Sequence, residues 1–217
     1  MKNLCFISYY TKDTLYEKDA MRLKASCENF GLEHCIEGID SFGKWHQHTL
    51  FKPTFILNKL LTLKKPLVWV DADAEIVKQP LFFSTLKAPL SFRIFDHWPE
   101  GHPCRVYAGT VYFDYCPEVI DFVQEWHQIC ESAVKEGTVT NDQHVFGLLL
   151  LKTNIPFIPL PKGYATIFDE PDGEKERYIV HYQASRLYKK IIDGEMAFNV
   201  LQDLSIEELR ELRPKLL

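Results

Sequence analysis

Short runs of consecutive apolar residues alternate along this chain with longer stretches whose apolar positions return every three or four residues. Leu4 to Tyr9 reads as a first strand. From Thr14 to Phe30, the residues Tyr16, Ala20, Leu23, Cys27 and Phe30 make one stripe of a helix, and Gly31 is placed to end it. Glu33 to Ile39 reads as a second strand, so a right-handed crossover is expected between the two. Asp40 to Phe51 is polar and aromatic and reads as a loop; its His46 and His48, with no third ligand nearby, are expected to be solvated. Lys52-Pro53 opens a helix, with Pro53 suited to its first turn and Phe55, Ile56, Leu57, Leu60 and Leu61 on its buried face. Leu67 to Val70 is wholly apolar, the composition of a strand covered on both faces in the middle of a parallel sheet.

The second half repeats the alternation. Ile76-Val77 and Gln79 to Phe83 read as a return segment and a turn, and Leu90 to Phe95 as a strand. Asp96 to Arg105 is a loop punctuated by proline and glycine, carrying His97, His102 and an exposed Trp98. Val106 to Tyr115 reads as a strand interrupted by Ala108-Gly109-Thr110, where the glycine marks a close approach of ligand or backbone. Pro117 to Glu136 is a long helix ended by Gly137, and Thr140 or Asn141 caps a further helix through Val145, Leu148, Leu149 and Leu151. Ile155 to Leu160 is a strand, Phe168 to Glu176 an exposed acidic loop, and Tyr178 to Tyr182 a short strand. Ser205-Ile206-Glu207-Glu208 is a capping box for a last short helix. The pattern predicts a single α/β domain over residues 1–217, with a mixed, mainly parallel central sheet flanked by helices.

Composition narrows the function. With 46% hydrophobic and 13% aromatic residues the chain packs a core, which excludes global disorder. The net charge is −5 and no basic block stands out, so a nucleic-acid partner is not expected. No apolar run approaches a membrane span and the N-terminus lacks signal-peptide character, so a cytoplasmic protein is expected, with room for peripheral membrane contact. The six cysteines show no C-x-x-C spacing and are expected to be reduced.

The chemistry is concentrated where the Leu67–Val70 strand ends. Asp71 and Asp73 follow it directly, two residues apart, so an extended backbone would aim both carboxylates the same way. Paired carboxylates repel unless neutralised, and an oxygen-rich pair suits a hard divalent cation, Mg²⁺ or Mn²⁺. Strand carboxyl ends are also where open α/β sheets bind ligands. The competing reading is a strand ending in an ordinary Asp turn.

The stretch Leu67 to Glu75, set after Phe51-Lys52-Pro53, resembles the D-x-D region of nucleotide-sugar-dependent glycosyltransferases of the GT-A (Rossmann-like) fold. The resemblance continues in order through Ala108-Gly109-Thr110, Asn141-Asp142-Gln143 and His181. It implies a metal-dependent transferase acting on a nucleotide diphosphate sugar, UDP-linked by preference, with a glycan or glycoconjugate acceptor and a leaning towards retention. It also implies roles. Asp71, Asp73 and His181 would hold Mn²⁺ or Mg²⁺. Ser8, Tyr9 and Tyr10 would meet the base and ribose, and Lys52 the nucleotide. Gly109 and Thr110 would lie under the donor sugar. Asp142 would be the base or would hold the sugar, flanked by Asn141 and Gln143. Ser185, Arg186 and Lys189 would sit by the diphosphate, and Trp98 would offer a sugar-stacking platform. Two other readings stand beside it: a haloacid-dehalogenase-type phosphatase, which usually carries its D-x-D after the first strand, and a non-catalytic nucleotide- or glycan-binding module.

Overall fold

The computed structural model describes residues 3–170 and 176–186; Lys189 and the capping box at Ser205 lie outside them. The elements run β1 (Cys5–Thr11), α1 (Leu15–Asn29), β2 (His34–Ile39), α2 (Trp45–Leu50), α3 (Lys52–Leu63), β3 (Leu67–Val70), β4 (Ala74–Ile76), α4 (Phe82–Thr85), β5 (Leu90–Ile94), β6 (Val106–Phe113), α5 (Pro117–Glu136), α6 (Asp142–Lys152), β7 (Phe157–Pro159), β8 (Thr166–Ile167) and β9 (Ile179–His181). Helix starts follow local chemistry: Thr14 accepts from Tyr16 N to open α1, and Asn141 accepts from His144 N to open α6. Gly137, at φ +69°, ends α5 in a left-handed turn.

The main sheet has the order β2-β1-β3-β6-β5-β7. β1 pairs in parallel with β2 and β3, and β5 with β7; only β6 runs against its neighbours. The sheet is therefore mixed and mainly parallel, as the alternation predicts. Its middle strand explains the unbroken apolar run. Leu67 and Trp69 of β3 join the core beneath α3, α5 and α6, while Val68 and Val70 join the opposite core with Leu23 and Cys27 of α1. A strand with a core on each face has no polar side to present.

Three findings depart from the expectations. Asp40–Phe51 is not all loop, since α2 forms within it. His48 is not solvated: it is buried, with Nε2 placed 3.1 Å from Gly43 O and 3.3 Å from Ser41 Oγ. The segment after the Asp pair does more than turn back, because β4, β9 and β8 build a second, three-stranded sheet. Its pairing of Ala74 with His181 brings two distant parts of the sequence together beside the end of β3.

Candidate active site

The Asp pair is held by a turn rather than by extended backbone. Ala74 N donates to Asp71 O at 3.0 Å, and Asp71 N donates to Gly109 O of β6 at 2.8 Å. The turn and the carboxylate cluster thus coexist. Asp71 Oδ1 accepts from the Trp69 indole at 2.8 Å. Asp73 Oδ2 accepts from Ala184 N, and the Asp73 carbonyl accepts from Tyr182 N and from Arg22 Nη2. Arg22, from α1, pairs with Asp19 at 2.8 Å and lies 4.3 Å from the centre of the Tyr182 ring. The turn is therefore clamped from both α1 and β9.

His181 comes to this turn because β9 pairs with β4. Ligand atoms of Asp71, Asp73 and His181 lie within 4.8 Å of one another. The imidazole is fully buried, and burial holds its pKa down at about 4, so the ring is neutral near pH 7. Its Nε2 meets Thr110 Oγ1 at 2.7 Å, while Nδ1 faces Asp73 Oδ1 at 3.9 Å with no hydrogen-bond partner. A neutral imidazole held through one nitrogen and unpartnered at the other, beside two carboxylates, fits a divalent cation. Thr110 serves by orienting this ring and does not face the cavity.

A second charged cluster adjoins the first. Lys52, at the start of α3, is buried with Nζ 3.0 Å from Asp71 Oδ1 and 2.5 Å from Asp142 Oδ2, and it donates to Ala108 O at 3.3 Å. Burial alone would lower the Lys52 pKa, but Asp142 and Asp71 outweigh it and hold the ammonium well above its ordinary value. Burial pushes the Asp142 carboxyl upward against the pull of Lys52. Asp142 opens α6, and Gln143 next to it accepts from Ala108 N at 3.1 Å.

These groups border a cavity of about 250 Å³. Its lining includes Tyr9, Tyr10 and Thr11 of β1 together with Tyr16, Trp45 and His48. Tyr9 spends its hydroxyl on His48 O at 2.6 Å and packs its ring on Phe55 and Trp69. The lining also includes Tyr107, Gln183 and Ser185, with Asn141, Asp142 and Gln143. Gln183 adopts φ +55°, a left-handed turn that aims Ala184 N at Asp73 while its own amide reaches the Tyr107 hydroxyl at 2.9 Å.

Some residues singled out by the sequence lie elsewhere. Ser8 is fully buried and lines no part of the cavity. Gly109 lies beneath the Tyr107 ring, where a Cβ would come within 2.4 Å of ring carbon, so the glycine admits a side chain rather than a ligand. Arg186 pairs with Asp169 outside the cavity. Trp98 stacks on His102 away from the cavity lining. Conversely, Tyr16, Trp45, His48, Tyr107 and Gln183 border the cavity without having stood out as site residues. Tyr16 read as part of the α1 stripe, and Gln183 lies two residues beyond His181, the nearest signal to it.

No family model matches this sequence, and no curated protein does. The fold is similar to that of a glycosyltransferase involved in the glycosylation of the major capsid of PBCV-1, with a TM-score of 0.66 over 98% of this chain and 98% of that one, at 13% identity. At that identity the likeness is one of fold.

Proposed function

We propose that this chain is a glycosyltransferase that takes its sugar from a nucleotide diphosphate donor, UDP-linked by preference, and passes it to a glycan or glycoconjugate acceptor. One observation carries the reading: Asp71, Asp73 and the unpartnered nitrogen of His181 converge beside the cavity at the end of the central strand. The shared fold with a known glycosyltransferase supports it. A Mn²⁺ or Mg²⁺ ion bound there supplies the positive charge that a departing nucleoside diphosphate needs. The aromatic lining residues Tyr10, Tyr16 and Trp45 suit the base, and the polar ones near Asp142 and Gln143 suit the sugar.

We further infer retention. Among the described cavity-lining residues the carboxylates are Asp71, Asp73 and Asp142. The first two belong to the cation cluster, and Asp142 is held at 2.5 Å by Lys52. Inversion needs a general base, commonly a carboxylate, free to take the acceptor proton. Asp142, tied to an ammonium, is better suited to accept a hydrogen bond from a donor-sugar hydroxyl.

Thermal unfolding with UDP, GDP, CDP and ADP, each with and without Mn²⁺, tests the donor site. One diphosphate at a hundredfold excess over its Kd is expected to raise Tm by roughly 5–10 °C, only with Mn²⁺ present and not in Asp73→Ala. No shift with any of them would remove the main support for the reading, and phosphate release from p-nitrophenyl phosphate would then favour the phosphatase. Once a donor is identified, the anomeric configuration of its transfer product, read by NMR, checks retention; an inverted product would overturn it.

A further inference from the structure

The loop between β5 and β6 is built more firmly than a connector requires. Phe95 N donates to Arg105 O at 2.7 Å and closes the loop at its base. Inside it, Trp98 N donates to Phe95 O, His102 N to Pro99 O, and Arg105 N to His102 O. His102 Nδ1 also accepts from Cys104 N at 3.1 Å, which fixes the plane of that ring. Closed, internally bonded loops of this length are commonly functional. The loop is further seated on α6: Gly147 brings its Cα so close to Pro103 that a Cβ would lie 2.0 Å from the Pro103 carbonyl oxygen. A glycine inside a helix is unfavourable by about 1 kcal/mol against alanine, so its presence here marks a tight seat for the loop.

What the loop displays is a stacked pair of rings. The Trp98 indole lies on the His102 imidazole at 4.3 Å with planes 7° apart, and 38% of the tryptophan stays in solvent. Asp96 and Glu100, both exposed, stand two residues before and two after Trp98 in the sequence. The plate also connects to the cavity. Phe95 touches Tyr107 of the cavity wall at 5.3 Å on one side and His97 at 5.1 Å on the other, and His97 adjoins Trp98 at 5.7 Å. A preformed, solvent-facing aromatic plate suits a pyranose, whose apolar C–H side can lie on the ring.

We propose that Trp98, backed by His102, is the platform on which the acceptor saccharide lies, outside the donor cavity and reaching it past Phe95 and Tyr107. The acceptor role rests on the glycosyltransferase reading; the saccharide-binding role does not. The test titrates methyl glycosides of glucose, galactose, mannose and N-acetylglucosamine, and maltose, into the ¹⁵N-labelled protein. The Trp98 indole resonance is assigned by its loss in Trp98→Phe. At least one glycoside is expected to move that resonance saturably while leaving the Trp69 and Trp126 indoles in place. Trp98→Ala is expected to weaken the same binding at least tenfold, with the nucleotide-dependent Tm shift unchanged. The proposal is overturned if no glycoside moves the Trp98 resonance, or if binding survives Trp98→Ala. Saccharide binding at Trp98 without any nucleotide-dependent shift would uphold the platform and sink the donor reading.

Discussion

Lys52 carries its charge where charge is costly, and its neighbours decide whether it can. With Asp71 at 3.0 Å and Asp142 at 2.5 Å it joins two acids that would otherwise repel across the cavity floor. Removing the ammonium leaves a buried, unpaired carboxylate, so Lys52→Met is expected to destabilise the fold by about 3–5 kcal/mol, read from urea denaturation. Lys52→Met combined with Asp142→Leu removes both members of the closer pair and should recover much of that loss. A single mutant within 1 kcal/mol of wild type would show that Lys52 is not the counter-ion that burial makes it. At this scale spacing separated Asp71 and Asp73 from the rest of the chain, the family resemblance added His181, and ligand atoms of the three lie within 4.8 Å of one another. It did not separate the residues that hold them. Thr110, expected under the donor sugar, instead orients His181, and Arg22, which grips the Asp73 carbonyl, looks like the polar side of a helix. Supporting residues are defined by what lies across from them in space, and one sequence does not record that.

Elements are legible in proportion to their length and to the purity of their period. β3 declared itself because two cores leave it no polar face, and α5 because its 20 residues repeat one stripe. α2 has only six residues, three of them Trp, His and His, and no period emerges from so short a mixed run. β4 and β8 have three and two residues and exist because they pair with β9, the strand legible over Tyr178 to Tyr182, and that pairing delivers His181. Gly147 gives this scale its own prediction. Propensity favours alanine in a helix interior by about 1 kcal/mol. The backbone oxygen of Pro103, 2.0 Å from the new Cβ, opposes it, and a backbone atom in a bonded loop yields only by moving the loop. Overpacking of this kind costs about 1–3 kcal/mol. Gly147→Ala is therefore expected to lower the urea midpoint despite the better helix former. A raised midpoint would mean that the Asp96–Arg105 loop shifts freely and that α6 does not seat it.

Over the whole molecule the depressed groups act in the same direction on stability towards acid. In the metal-free protein His181 titrates at about 4, against 6.5 when unfolded, and burial lowers His48 as well. Between these values the unfolded chain binds protons that the folded chain refuses, so stability falls as pH drops from about 6.5 towards 4. For His181 alone the loss is on the order of 3 kcal/mol once the pH is below both values. Glu170 adds a second fall at lower pH. Burial pushes it up, but Arg93 at 2.6 Å outweighs this and holds it below its ordinary 4.5, so the contribution of that ion pair disappears as the carboxyl is protonated. Tm followed from pH 8 to 3 in EDTA is expected to change little above 7 and to fall progressively below about 6.5. His181→Asn should flatten the upper part of that fall, and Glu170→Gln the lower part. The two groups belong to separate parts of the fold: His181 to the candidate cation cluster, and Glu170 to the ion pair that ties β5 to the segment following β8. A His181→Asn profile that keeps the wild-type slope between pH 6.5 and 5 would mean the imidazole is not held neutral by burial. It would then lose its standing as a ready ligand, and the cation cluster would reduce to the two carboxylates.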